Sequence, residues 1–262
     1  MIDTHVHIGT SSTTPPGEPY ESAEALLKLM DRQGIESAVL VPYLGGTDNS
    51  AIAESLARYR SRFVGLAYID WRKSDAHQEL ERLHDRQRFS GIRLETDARS
   101  PGPDPFLVWR TAFSLDLWVS AQGGRSPSYW AGPLREVLEA IPGLRVRIEH
   151  LARPQVSLGV DEPAFQAVLR LARFPNVVVN VDGLWAVSKT GAPYDDVWPF
   201  AEAVLATFGS KRVMWGSDFP YVLEYQSYAE SCEEMRNRLA SFPPSVSEDV
   251  LQDTPQRFCR AE

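Results

Sequence analysis

A chain of 262 residues with 43% hydrophobic content can bury one large core, and α/β barrels reach this length as a single domain, so 1–262 reads as one unit. The formal charge of −8, with lysines and arginines scattered rather than clustered, argues against a phosphate-tracking surface and so against nucleic acid as a partner. No run approaches the roughly 18 apolar residues of a membrane span, and the first strand pattern begins where a signal peptide's charged region would stand; with Cys232 and Cys259 outside any CxxC or Cys/His spacing, a soluble cytoplasmic protein with reduced, buried thiols is expected.

The first predicted strand, 2–8, reads Ile2-Asp3-Thr4-His5-Val6-His7-Ile8. Side chains two apart on a strand share a face, so His5 and His7 project together. By themselves they fit hydrogen-bonded core residues as well as a ligand pair. A Ser/Thr/Pro-rich loop follows at 11–20, then Ala23, Ala25, Leu26, Leu29 and Met30 at helical spacing. Further short apolar or β-branched runs fall at 35–43, 62–69, 90–95, 116–122, 144–149, 176–181 and 211–217, each bounded by Gly, Pro, Asp or Ser. A second long loop spans 96–105, and Phe165, Val168, Leu169, Leu171 and Ala172 repeat the helical pattern. His77 and His84, seven apart on the third helical stretch, read as surface residues.

Strands alternating with helices imply right-handed crossovers and a parallel sheet. Eight such repeats predict an α/β fold of the (β/α)8 TIM-barrel type. The alternative, an open doubly wound sheet, lacks the expected G-x-G-x-x-G after its first strand. A barrel places its active site at the C-terminal ends of the strands. His5, His7, Arg93, Glu95, Gln122, His150, Asn180, Asp182 and Asp218 all fall at such ends and would meet at one mouth.

His5-x-His7, the run Ile148-Glu149-His150-Leu151-Ala152-Arg153-Pro154 and the run Met214-Trp215-Gly216-Ser217-Asp218-Phe219-Pro220 together resemble the amidohydrolase superfamily. More narrowly they resemble its amidohydrolase-related branch, which includes hydrolases of pyrone-dicarboxylate and sugar lactones. The resemblance spans nearly the whole chain and implies that His5, His7, His150 and Asp218 are the catalytic set, with Asp218 as general base. It also implies either no cofactor or one divalent metal, zinc or manganese, on His5, His7, His150 and Asp218. Arg93 and Gln122 stand where metal-dependent members carry a histidine or lysine, which argues against a binuclear site.

Opening a lactone needs a base for water, donors aimed at the developing oxyanion and a proton for the departing oxygen. Asp218 supplies the first and the three histidines the second. Arg93 and Arg153 suit a bidentate grip on a substrate carboxylate, which favours a carboxylated lactone as the small-molecule substrate; a strand-end salt bridge is the competing role for each. Tyr43, Trp71, Tyr129, Trp185 and Tyr221 follow strands and could pack on a ring, with Trp71 and Tyr221 foremost, although ordinary packing explains such aromatics as well. Glu95 and Asp182 are expected to orient a histidine or arginine. A metal-dependent decarboxylase and a non-catalytic binding barrel are the rival functions; homo-oligomerisation is left open.

Overall fold

The computed structural model describes residues 1–10, 12–123 and 128–259. Each predicted strand is present and shorter than its pattern: β1 Ile2–Val6, β2 Ser37–Leu40, β3 Phe63–Ala67, β4 Gly91–Glu95, β5 Trp118–Gln122, β6 Val146–Ile148, β7 Val177–Val181 and β8 Val213–Trp215. All pair in parallel and in chain order. Helices α1 (Ala23–Gln33), α2 (Ser50–Arg58), α3 (Ala76–Arg86), α4 (Leu107–Ser114), α5 (Ser128–Ala140), α6 (Pro163–Leu169) and α7 (Trp198–Phe208) alternate with them, and α8 (Tyr228–Leu239), α9 (Pro244–Glu248) and α10 (Thr254–Cys259) complete the chain. Beyond β8, His7 N donates to Phe219 O at 2.6 Å and Asp218 N donates to His5 O at 2.9 Å. Those bonds bring the eighth strand's continuation onto the first. The fold is therefore a nearly closed (β/α)8 barrel, not an open sheet.

The trimmed ends have local causes. Residues 210–212 form a turn after Gly209, and the chain leaves β8 before Asp218, whose φ of +60° turns it out of strand geometry. Helix ends are set by side chains: Ser22 accepts from Ala25 N at 3.1 Å, Gly34 ends α1 in the left-handed region, and Ser227 and Glu230 cap α8 reciprocally.

Alternation along β5 points Trp118, Ser120 and Gln122 to one face, and they climb the barrel interior from floor to mouth. Trp118 packs with Val39, Leu66, Val178 and Met214, and Phe258 of α10 meets it edge-on at 5.3 Å. That apolar plug seals the floor. Above it Arg147 lays its guanidinium over Trp118 and donates to Ser120 Oγ at 3.0 and 2.6 Å, while Ser120 donates to Glu149 at 2.5 Å. An ionic layer thus separates the plug from the mouth. Cys232 and Cys259 are buried thiols, as expected, and among the described residues no helix is long and apolar enough to cross a membrane.

Candidate active site

Asp182, just past β7, anchors the site. Its Oδ2 lies 2.5 Å from His5 Nδ1 and accepts from Asn180 Nδ2 at 2.7 Å; its Oδ1 accepts from His150 N at 2.6 Å and lies 3.3 Å from His150 Nδ1. The orienting role expected of Asp182 is what this geometry performs. β1 loses register with β2 between Asp3 and Val6, an irregularity of the kind that re-aims side chains at barrel rims. Thr4 and His5, though consecutive, both reach interior partners, Asn180 and Asp182. His7 points Nδ1 at Val41 O, 2.7 Å away.

These partners assign the tautomers, since a carbonyl or carboxylate requires N–H on the facing nitrogen. His5 and His7 are then left with Nε2 lone pairs that face each other at 3.2 Å. Asp218 Oδ1 stands 3.7 Å from the first and 3.4 Å from the second, buried and without a hydrogen-bond partner. Three acceptors converge with no donor between them, and such a cluster needs a cation or a proton. His5, His150 and Asp218 offer ligand atoms that all lie within 4.8 Å of one another. The buried surroundings agree, with Glu149, Asp182 and Asp218 outnumbering the guanidiniums of Arg93 and Arg147. Two or three imidazoles and a carboxylate fit one divalent ion of the zinc or manganese kind.

The electrostatics follow from burial and neighbours. Burial opposes the Asp218 charge, yet His7 beside it and the neighbouring His150 and His5 overcome it and hold the carboxyl at about 2. Burial pushes His5 down to about 4 despite Asp182. His150 moves the other way: burial lowers it, but the charge and hydrogen bond of Asp182 raise it further. Asp182 and Glu149 both lie below the ordinary carboxylate range, their burial outweighed by histidines in one case and chiefly by Arg93 in the other.

His150 itself sits beyond β6, in a left-handed turn in which residues 150–153 all have φ between 51° and 59°. Gly183 makes room for it, since a Cβ there would come within 2.4 Å of His150 Nδ1.

The structure corrects one expected role. Arg93 does not present its fork to the mouth: Nε and Nη2 hold Glu149 at 3.0 and 2.7 Å and Nη1 donates to Pro42 O at 2.8 Å. Its alternation with Ile92 and Leu94 does turn it inward, but the carboxylate it meets belongs to the protein. Arg153 is half-buried with Nε sequestered and without a hydrogen-bond partner among the described residues. Gln122 is buried at the tip of β5 beside Glu95 of β4. Glu95 accepts from Tyr68 and from the Trp71 indole at 3.0 and 2.9 Å, so it fixes aromatics and not the site histidines. Tyr221 meets His7 edge-on at 5.5 Å and gives its hydroxyl to Glu18. The Tyr129 side chain lies outside the described residues.

One contributor had no functional signal of its own in the sequence, and Tyr43 carried only that of an aromatic after a strand. Glu149, read only as part of a motif, knits Arg93, Ser120 and Arg147 beneath His150. Tyr43 stacks on His7 at 4.7 Å.

A (β/α)8 barrel with histidines from β1, a histidine beyond β6 and an aspartate beyond β8 at its mouth defines the class to which the chain belongs. The family model described as Amidohydrolase matches residues 2–260, and the chain is a member of that family. It is similar to a 4-sulfomuconolactone hydrolase of Rhizobium radiobacter, 29% identical over 98% of this chain and 88% of the relative. It is also similar to an L-fucono-1,5-lactonase of Burkholderia ambifaria, 26% identical over 90% and 88% of the two chains. In three dimensions it superposes on a candidate 2-pyrone-4,6-dicarboxylic acid hydrolase of Acinetobacter baumannii, solved with citric acid bound, with a TM-score of 0.82 at 21% identity over 98% of both chains.

Proposed function

We propose that the protein hydrolyses a lactone, and that the substrate carries a carboxylate or a comparable anionic group. The reading is carried by one observation: Asp218 Oδ1, ionised and without a hydrogen-bond donor, faces the Nε2 atoms of His5 and His7 at the barrel mouth. Relatives that share the fold and most of its length are named for opening lactones.

In this mechanism Asp218 Oδ1 takes a proton from water as the oxygen attacks the lactone carbonyl. His150, made more basic by Asp182, donates toward the developing oxyanion from the same face. The carbon–oxygen bond of the ring then breaks, the proton held by Asp218 passes to the departing oxygen, and a ring-opened hydroxy acid or its enol leaves. Alternatively, a divalent ion held by His5, His150 and Asp218, with His7 beside them, would replace that donation by polarising the carbonyl as a Lewis acid. Arg153, whose Nε has no hydrogen-bond partner among the described residues, supplies the bidentate grip on the substrate's anion, because the fork of Arg93 is engaged by Glu149. Gln122, Trp71 and Tyr221 contribute the remaining walls.

A pH-indicator assay over L-fucono-1,5-lactone, 4-sulfomuconolactone and 2-pyrone-4,6-dicarboxylate, with carboxylated phenols as decarboxylation controls, tests the reading. Acid release from at least one lactone, faster for an anionic one than for the neutral sugar lactone, is the expected result. Carbon dioxide release from a phenolic acid with no lactone opened would replace it by the decarboxylase.

A further inference from the structure

We infer that Trp185 is a positioning residue for Asp218, acting through a hydrogen bond that assigns the two carboxylate oxygens different tasks. The inference rests on the reading of Asp218 as general base. Trp185 lies in the turn Leu184–Ala186 directly after β7, two strands from β1 around the ring. Its indole Nε1 donates to Asp218 Oδ2 at 2.9 Å, while Oδ1 accepts nothing and faces the histidines. A carboxylate beyond the end of a strand can rotate about χ2, because that torsion is broad and two-fold. A donor fixed on one oxygen removes this freedom and keeps the other aimed at the reacting centre.

The donor is itself held. Trp185 stacks on Tyr225 at 5.0 Å and 14° and on Tyr221 at 5.5 Å and 22°. Tyr221 is tethered through its hydroxyl to Glu18 and meets His7 edge-on. The indole plane is therefore set by two stacked tyrosine rings, and Asp218 and His7 are registered against one aromatic wall. Here Tyr221 and Tyr225 occupy stacking positions and the polar edge is turned to the carboxylate.

Two substitutions separate the N–H from the ring. Trp185→Phe keeps an aromatic for the stack and loses the donor. Trp185→His restores it, because imidazole Nε2 occupies the same position relative to Cγ as indole Nε1, and above pH of about 7.5 the ring is neutral with an N–H to give. On the fastest lactone of the panel, Trp185→Phe should lower kcat about tenfold to a hundredfold with KM within about twofold, and Trp185→His should recover most of the loss. Calorimetric titration of metal-stripped protein with zinc gives a readout that needs no substrate: about tenfold weaker binding for Trp185→Phe, and near wild-type binding for Trp185→His. A KM rise with unchanged kcat, equal losses for both variants, or zinc affinity and kcat both unmoved would overturn the inference. If Asp218→Asn retained activity, the general-base reading would fail instead, and the zinc titration would still decide whether the indole aims the carboxylate.

Discussion

At the scale of single residues, the site depends on a missing side chain as well as on those present. Gly183 has a φ of +58°, begins the turn that carries Trp185, and leaves the space that His150 Nδ1 fills. Gly183→Ala meets both constraints at once. A non-glycine residue in this region costs roughly 1–2 kcal/mol, and the new methyl must push His150 away from Asp182. The expected result is a lower urea midpoint together with a loss of turnover beyond what the stability change explains; normal activity in a merely destabilised protein would contradict the packing argument. The sequence made His5, His7, His150, Asp182 and Asp218 legible because strand spacing and strand ends are written in local pattern. It could not show that Arg93 meets Glu149, a partner 56 residues away fixed only by the register of β4, β5 and β6. Nor could it show which way the Trp185 indole faces, since a turn of three residues has no periodicity to read.

At the scale of elements, the seam between β1, the extension of β8 and α8 is held by one buried acid. Asp3 Oδ1 accepts from Ser217 N at 2.9 Å and His5 N at 3.2 Å, and Oδ2 accepts from Tyr228 Oη at 2.9 Å. Burial raises the carboxyl to about 6, against the lowering effect of these donors. A folded-state value above the unfolded 3.8 means that the native protein binds the proton more tightly, so stability from this group is present below pH 3.8 and is lost as pH rises through about 6. Asp3→Asn, which keeps an acceptor for both backbone amides, should therefore gain on the wild type between pH 4 and 7, by at most about 3 kcal/mol. Urea unfolding at both pH values checks this, and a difference that does not change with pH would show that burial does not raise the Asp3 carboxyl. All eight strands were visible in the sequence as short runs between breakers. Their ends were not, because the residues that end β1, β6 and β8 bend inward to serve the site and break the strand pattern there.

For the whole molecule, the barrel interior is graded from an apolar floor around Trp118 and Phe258, through Arg147, Ser120 and Glu149, to the histidines and Asp218 at the mouth. Chain order places these groups far apart, and closure of the eight-strand ring brings them together. The grading gives the mouth its field: a dry floor below, an ion-paired layer that fixes the charges, and acceptors above that need a cation or a proton. The most direct test of the account is kcat for Asp218→Asn on the fastest lactone of the panel, with circular dichroism and urea midpoint measured on the same sample. The account predicts a loss of at least about a thousandfold in a protein that folds like the wild type. Turnover within tenfold of wild type, from a folded variant, would contradict it.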